Sequence, residues 1–277
     1  MLPTVREDVR WVGNEIAHAP LANWNVYPSP DDTNTTKRIW FPVECDTMMI
    51  GHWFWNGYPP RNLDQLLHFY YVSVGRGSML LLNVAPNPEG MFSEESVVRL
   101  RKFRAALNSI FNTDLAAGKK AAASNTRGND ATFGPENLLD GDKNTYWSTD
   151  DGVTSASVEI DLGTETEFNI IRMEEMIRQG QRVAEYQVEA WDAAASEWKL
   201  LNRGFTIGHR KLDRFQKVKS AKVRLTILRS RANPTIHSFG VHLDTVSPPE
   251  HFDPAVANAE VRPRTRAPRP TGPARGR

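Results

Sequence analysis

Cysteine is almost absent from this 277-residue sequence. Cys45 stands alone, which excludes an intrachain disulfide and a cysteine-rich metal site. No apolar run approaches the length needed to span a bilayer. The opening stretch, MLPTVREDVR, lacks the apolar core of a signal peptide. Neither sign of charge is in excess: 34 Lys and Arg against 33 Asp and Glu leave a formal net charge of +1. There is no global field to attract nucleic acid or an anionic membrane, so neither is an expected partner. What remains is an ordinary globular balance, 40% hydrophobic and 24% charged. Eight tryptophans are a high count. Sugar rings stack on Trp, but packing in a core is the better account of any single one.

Three textures follow one another. Residues 1–115 mix apolar runs with helical periodicity. MLLLNVAP, from Met79 to Pro86, is nearly continuous in apolar residues, as in a strand buried on both faces of a parallel sheet. From Ser93 to Phe111, the apolar positions Val97, Leu100, Phe103, Leu107 and Phe111 are spaced as on a helix that starts at Ser93. LDQLLHFYYVSVG reads as another helix, ending at Gly75. This is an α/β pattern with too few elements to close a sheet or barrel by itself. After Gly118–Lys120 the texture changes. SVEIDLG, FNIIRMEEM, EYQVEAWD, EWKLL and KVRLTIL read as short strands, and residues 116–246 as an all-β sandwich or jelly roll. Residues 247–277, rich in Pro, Ala and Arg, bury too little apolar surface to offset ordering and are expected to be disordered.

Three stretches carry a resemblance: DVRWVGNE, the FPVECD…WFW segment and SVGRGSMLLLNVAPNPEGMFSEE. They are similar to the C-terminal part of a family 29 α-L-fucosidase of the plant and bacterial type. ATFGPENLLDGDKNTYWS resembles the discoidin-type (F5/8 type C, galactose-binding-like) β-sandwich that such enzymes often carry. The resemblance covers about residues 6–244. It implies an α/β plus all-β fold: the C-terminal portion of a (β/α)8-like barrel, a β-sandwich and a disordered tail. It also implies a retaining glycosidase, which works with two carboxylates about 5 Å apart. Glu15 matches the acid/base. Trp11 and neighbouring apolar groups are expected to raise its pKa by desolvation, at the C-terminal end of a barrel strand. The nucleophilic Asp of the family lies on an earlier strand, whereas only fourteen residues precede Glu15 here. Asp8 belongs to the motif and is not the nucleophile by that match. The implied chain is therefore cut in mid-barrel, with an N-terminal barrel half as its missing partner.

By the same match, Glu44 and Asp46 lie near the active-site mouth, and Trp53 and Trp55 belong to an aromatic cluster that walls the pocket. With Trp11, these are the expected substrate-binding residues; at least one of Trp53 and Trp55 is expected in the core. Ile50, His52 and Ala17 depart from the family, which usually has Arg, Gly and Gly there. Arg76 is expected to pair with a carboxylate at the rim, and His18 to be a rim or core histidine. Catalysis requires no cofactor. In NLLDGDKNTYW, Asp140, Asp142 and Thr145 are candidate ligands of a structural Ca2+, although TIHSFGVHLD lacks the Glu that the superfamily adds. An Asp-Gly turn explains the same residues. Trp147 is a core anchor by expectation. Gln181 and Arg182 are expected to face the barrel, and His209–Lys211 to be a solvated loop.

The expected function is hydrolysis of terminal α-L-fucosyl residues from glycans, by a chain that lacks the nucleophile. The alternative is a carbohydrate-binding or interaction protein acting through the sandwich. Family members reside outside the cell, in the wall or in the vacuole.

Overall fold

The computed structural model describes residues 9–28 and 39–247. The Arg- and Pro-rich tail from residue 248 and the opening residues 1–8 lie outside them.

The first unit is built on three parallel strands. β1 (Arg10–Trp11) pairs with β4 (Val43–Met48), which pairs with β5 (Met79–Asn83). A small antiparallel ribbon, β2 (Val26–Tyr27) with β3 (Ile39–Trp40), stands between them in sequence. Helix α1 (Leu63–Val72) makes the crossover from β4 to β5, as two parallel neighbours require. Its start is a capping box: Asn62 accepts from the Gln65 amide, and the Gln65 side chain accepts from the Asn62 amide. After the helix the chain passes so close to itself that a β-carbon on Gly75 would meet the Tyr71 carbonyl oxygen at 2.4 Å. Helix α2 (Glu94–Phe111) is capped by Ser93, as its periodicity predicts.

The (β/α)8-like barrel implied by the resemblance is not formed by the described residues, which supply three parallel strands and two helices to this unit. β5 also differs from the expected doubly buried strand. Met79 and Leu81 are about two-fifths exposed, while Leu80 and Leu82 pack on the helix side. Only one face of β5 is covered, and among the described residues its one strand neighbour is β4.

The second unit is a β-sandwich made of β6 (Lys120–Ala123), β7 (Trp147–Ser148), β8 (Ala156–Glu175), β9 (Val183–Asp192), β10 (Glu197–Phe205), β11 (Lys211–Ser230) and β12 (Thr235–His242). The segments SVEIDLG and FNIIRMEEM, expected as separate strands, are one 20-residue strand, β8. Gly163, at φ +84°, and breaks in register against β11 let the chain bend without leaving its partner. The first half of β8 pairs with β6 and the second half of β11; its second half pairs with β12 and the first half of β11. The two long strands thus pass from one layer to the other. Trp147, Ile160, Phe168, Tyr186, Leu225 and Phe239 fill the space between. The Trp147 indole donates to the Asn125 carbonyl at 3.0 Å, so Trp147 is the anchor its sequence predicts.

The two units share a core. Leu67, Tyr71, Ala106 and Ile110 of the first pack with Ile170 and Leu212 of the second. The Leu212 amide donates to the Gly75 carbonyl at 2.8 Å, and Tyr71 donates to Asp244 at 2.9 Å. Removing a fully buried aliphatic side chain from such a cluster costs about 2–5 kcal/mol. Ile170→Ala is therefore expected to lower the urea midpoint in a single transition, seen alike by tryptophan fluorescence and far-UV circular dichroism. Two separate transitions would show that the units are not coupled.

Candidate active site at the ends of the parallel strands

Glu15 follows β1 by four residues, and a short loop holds it there. Gly13 adopts φ +89°, a conformation other residues resist. The Asn14 side chain accepts from the Ile16 amide (3.3 Å) and the His18 amide (3.2 Å), and donates to the His18 carbonyl (2.9 Å). The Ala17 amide donates to the Asp46 carbonyl at 3.0 Å, which pins the loop to β4. Ala17 itself is left-handed, at φ +59°. A β-carbon there costs on the order of 1 kcal/mol, which accounts for the glycine usual at this position. Within the VGNE run, Gly13 bends the chain, Asn14 closes the turn and Glu15 projects from it.

Alternation sets which residues of β4 are accessible. Glu44, Asp46 and Met48 occupy the accessible face of β4, whereas Val43, Cys45 and Thr47 are buried. Burial pushes the Cys45 thiol up to about 11, so it is an inert core group. The Trp11 indole donates to the Asp46 carboxylate at 2.8 Å. The Trp53 indole donates to Glu15 Oε2 at 3.0 Å, and Asn83, at the end of β5, holds the Trp53 carbonyl at 2.9 Å. The Glu44 side chain makes no hydrogen bond among the described residues, and Trp55 packs on the core beside Met49, Ile50 and Leu66.

The expected apolar shield around Glu15 is not formed by Trp11. That ring is 53% exposed and engaged by Asp46, and Glu15 is itself exposed. The tryptophan that reaches Glu15 is Trp53. Arg76 also departs from expectation: its guanidinium contacts His18 Nε2 at 2.9 Å and the Ala19 carbonyl at 2.7 Å, rather than a carboxylate. Arginine only donates, so His18 Nε2 accepts and its proton lies on Nδ1. Burial, then the Arg76 charge, push the His18 pKa down to about 4. Ile50, where arginine is usual, is a core residue, and His52 stands edge-on to Tyr58. The structure adds three residues that sequence reasoning does not reach: Asn14, Asn83 and Phe54, which is 85% exposed beside Trp53. The Gly-Asn pair and the WFWNGY run are the signals that mark two of them.

In the sandwich, Asp140 accepts from the Asp142 amide (2.8 Å) and from Thr145 Oγ1 (2.7 Å), and Asp142 accepts from the Asn144 amide (2.9 Å). Gln181 faces the first unit, as expected: its Oε1 accepts from the Asn25 amide and its Nε2 donates to the Asn23 carbonyl, both at 2.8 Å. Arg182 does not. It binds the Gln179 carbonyl and Asn233 within the sandwich. Lys211 is buried rather than solvated. Its ammonium donates to the Phe205 carbonyl at 2.9 Å and the Leu21 carbonyl at 3.2 Å.

Residues 120–239 match the F5/8 type C domain, which gives the class of the sandwich. About nine-tenths of the chain is homologous to α-L-fucosidases, among them solved structures of glycoside hydrolase family 29. Alpha-L-fucosidase 1 of Arabidopsis thaliana is 32% identical over 255 residues, spanning 87% of this chain and 50% of that protein. A rice relative (Oryza sativa subsp. japonica), provisionally named alpha-L-fucosidase 1, is 35% identical over 273 residues, 91% of this chain and 52% of its own length. A GH29 fucosidase of Ruminococcus gnavus, solved in complex with fucose, superposes with a TM-score of 0.78 at 32% identity, covering 86% of this chain and 51% of that one. The chain therefore spans about half the length of the relatives it matches.

Because the folded-state pKa of His18 lies below its ordinary 6.5, the unfolded chain takes up that proton more readily. The stability due to neutral His18 is complete above pH 6.5 and is lost as the pH falls toward 4. The urea midpoint is expected to drop between pH 7 and pH 5, and to drop less in His18→Gln. An equal drop in both proteins would assign the effect to other buried histidines.

Proposed function

We propose that this chain carries the acid/base portion of a retaining α-L-fucosidase that hydrolyses terminal α-L-fucosyl residues of glycans. The observation that carries the reading is Glu15 beyond the C-terminal end of a parallel strand, gripped by the Trp53 indole. Active sites of (β/α)8 enzymes occupy that end of their strands. In this reading β1, β4 and β5 are a sector of such a barrel, and its other strands come from polypeptide outside the described residues. The nucleophilic carboxylate comes from there too. Glu15 protonates the leaving oxygen as the nucleophile attacks the anomeric carbon, then takes a proton from the water that releases fucose. Trp53 fixes the direction of the Glu15 carboxylate. Asp46 holds the Trp11 indole as a wall of the pocket, with Glu44 and the exposed loop after β4 around the rim. The substrates are fucosylated glycans met outside the cell, in a wall or in the vacuole. A second reading, a carbohydrate-binding protein acting through the sandwich, is favoured by the complete core of that unit alone.

The two readings separate on one variant. In the polypeptide that carries this chain, Glu15→Gln is expected to slow cleavage of a natural fucosyl disaccharide by about 10²–10⁴-fold, the usual contribution of a general acid. Trp55→Phe, a change on the core side, is expected to leave the rate nearly unchanged. Equal rates for Glu15→Gln and the parent would remove Glu15 from the mechanism and favour the binding reading.

We also read the Asp140–Thr145 loop as a turn rather than a calcium site. In support, its two carboxylates are engaged by the amides and the hydroxyl of the loop itself. The melting temperature is expected to be the same in millimolar Ca2+ and in EDTA. A rise in Ca2+ that disappears in Asp140→Ala would restore the metal site.

A further inference from the structure

At the other end of the parallel strands lies a cavity of about 570 Å³ between the two units. Trp40, Pro42 and Met79 line it from the first unit; Lys143, Arg178, Arg210 and His237 line it from the sandwich. Pro42 precedes β4 and Met79 opens β5, so the cavity is at the N-terminal ends of the strands, opposite Glu15.

Its charges are unequally spent. Glu174 is held by Arg210 at 2.8 Å, His237 at 3.3 Å and Arg172 at 3.6 Å. Burial pushes the Glu174 pKa up, but the His237 hydrogen bond and the charges of Arg210 and Arg172 outweigh it and leave the group near 2. Its negative charge is therefore compensated within the wall. The oxygens of Glu175, also in the wall, accept three backbone N–H groups, from Arg182, Val183 and Gly208. Two cations remain. The Lys143 ammonium has no partner among the described residues. Arg178 has one N–H bound to the Asn144 side chain at 2.9 Å, which steadies the guanidinium; its other donors have no partner among the described residues. Trp40, 45% exposed, belongs to the same lining. An aromatic ring and two cations with no acidic partner among the described residues, in one lining, fit a flat, partly apolar ligand with a negative group at its edge.

We propose that this cavity binds an acidic sugar, with the ring on Trp40 and its sulfate or carboxylate between Lys143 and Arg178. The site is separate from the one that holds Glu15, and it does not depend on fucoside cleavage.

Calorimetric titration of the whole chain tests this, with galactose 6-sulfate and galacturonate as the acidic probes and galactose and inorganic sulfate as controls. One or both acidic sugars are expected to bind saturably, to weaken as salt is added, and to bind at least about tenfold more tightly than either control. Which of the two binds distinguishes sulfate from carboxylate recognition. Lys143→Ala and Arg178→Ala, both at exposed positions, are each expected to weaken the acidic probe several-fold, and Trp40→Ala to weaken sulfated or carboxylated sugar more than it weakens inorganic sulfate. Glu15→Gln is expected to bind as the parent does. The proposal is overturned if the acidic sugars bind no better than galactose, if inorganic sulfate binds as tightly as they do, or if Lys143→Ala with Arg178→Ala binds like the parent. It is also overturned if binding is lost in Glu15→Gln, because the ligand would then occupy the other site.

Discussion

The first unit is held in place by a clasp made of one glutamine side chain and two backbone groups. Gln181 binds the Asn25 amide and the Asn23 carbonyl, and so ties residues 23–25 to the sandwich. Asn25 passes the constraint on, through its side-chain bonds to the Gly77 carbonyl and the Val43 amide. Asn23 reaches the Arg76 carbonyl and Ser78. The starts of β4 and β5 are thereby fixed from the sandwich side. The clasp has its own support. Glu175 accepts from the Arg182 and Val183 amides just after Gln181, and from Gly208, whose neighbour Thr206 binds the Asn23 amide. Asn23, Asn25, Glu175, Gln181 and Thr206 are all buried, where an unmade hydrogen bond is costly. Loss of one partner therefore strands several others. The discoidin-type unit acts here as scaffold for the α/β unit, whatever else it binds.

A parallel sheet is normally covered on both faces. Here helices α1 and α2 cover one face, and the other leaves Trp11, Met79 and Leu81 each about two-fifths to one-half exposed. That same face carries Asp46 and lies below Glu15. Along that face Trp11, Glu44 and Met79 form one cross-strand row, and Asp46 and Leu81 form the next one toward the C-terminal ends, the end where chemistry is done on barrel folds. In the proposed reading, the exposed face and the carboxylates together form one wall of the site.

Long periodic elements are legible in the sequence, and elements defined by tertiary partners are not. The Ser93 cap and the spacing from Val97 to Phe111 specify α2 directly, since both signals are local. β8 reads as two strands because Gly163 and Thr164 carry turn signals, whereas register with β11 keeps the chain paired through the bend. β5 reads as doubly buried because an apolar run reports hydrophobicity and not which neighbours are present. At the site, the motif points to Glu15 but not to its partner. Trp11 is adjacent in sequence and Trp53 is 38 residues away, and the fold brings the distant one to the carboxylate. Gln181 is legible as an interface residue. Lys211 is not, since a Gly-His-Arg-Lys run reads as solvated until the Phe205 and Leu21 carbonyls are seen to receive the ammonium.

The exchange of tryptophans bears on how the site works. An indole only donates, so each of the two fixes one carboxylate oxygen without competing for its proton. With Trp11 on Asp46 and Trp53 on Glu15, the two acids are held by separate donors and do not share one. Trp53 in turn hangs from Asn83 at the end of β5, so the direction of Glu15 is set by the third strand as well as by its own loop. Strands of five or six residues, rising about 3.3 Å per residue, put roughly 17–20 Å between this rim and the cavity at the opposite ends of β4 and β5. Ligand at one end neither blocks nor touches the other.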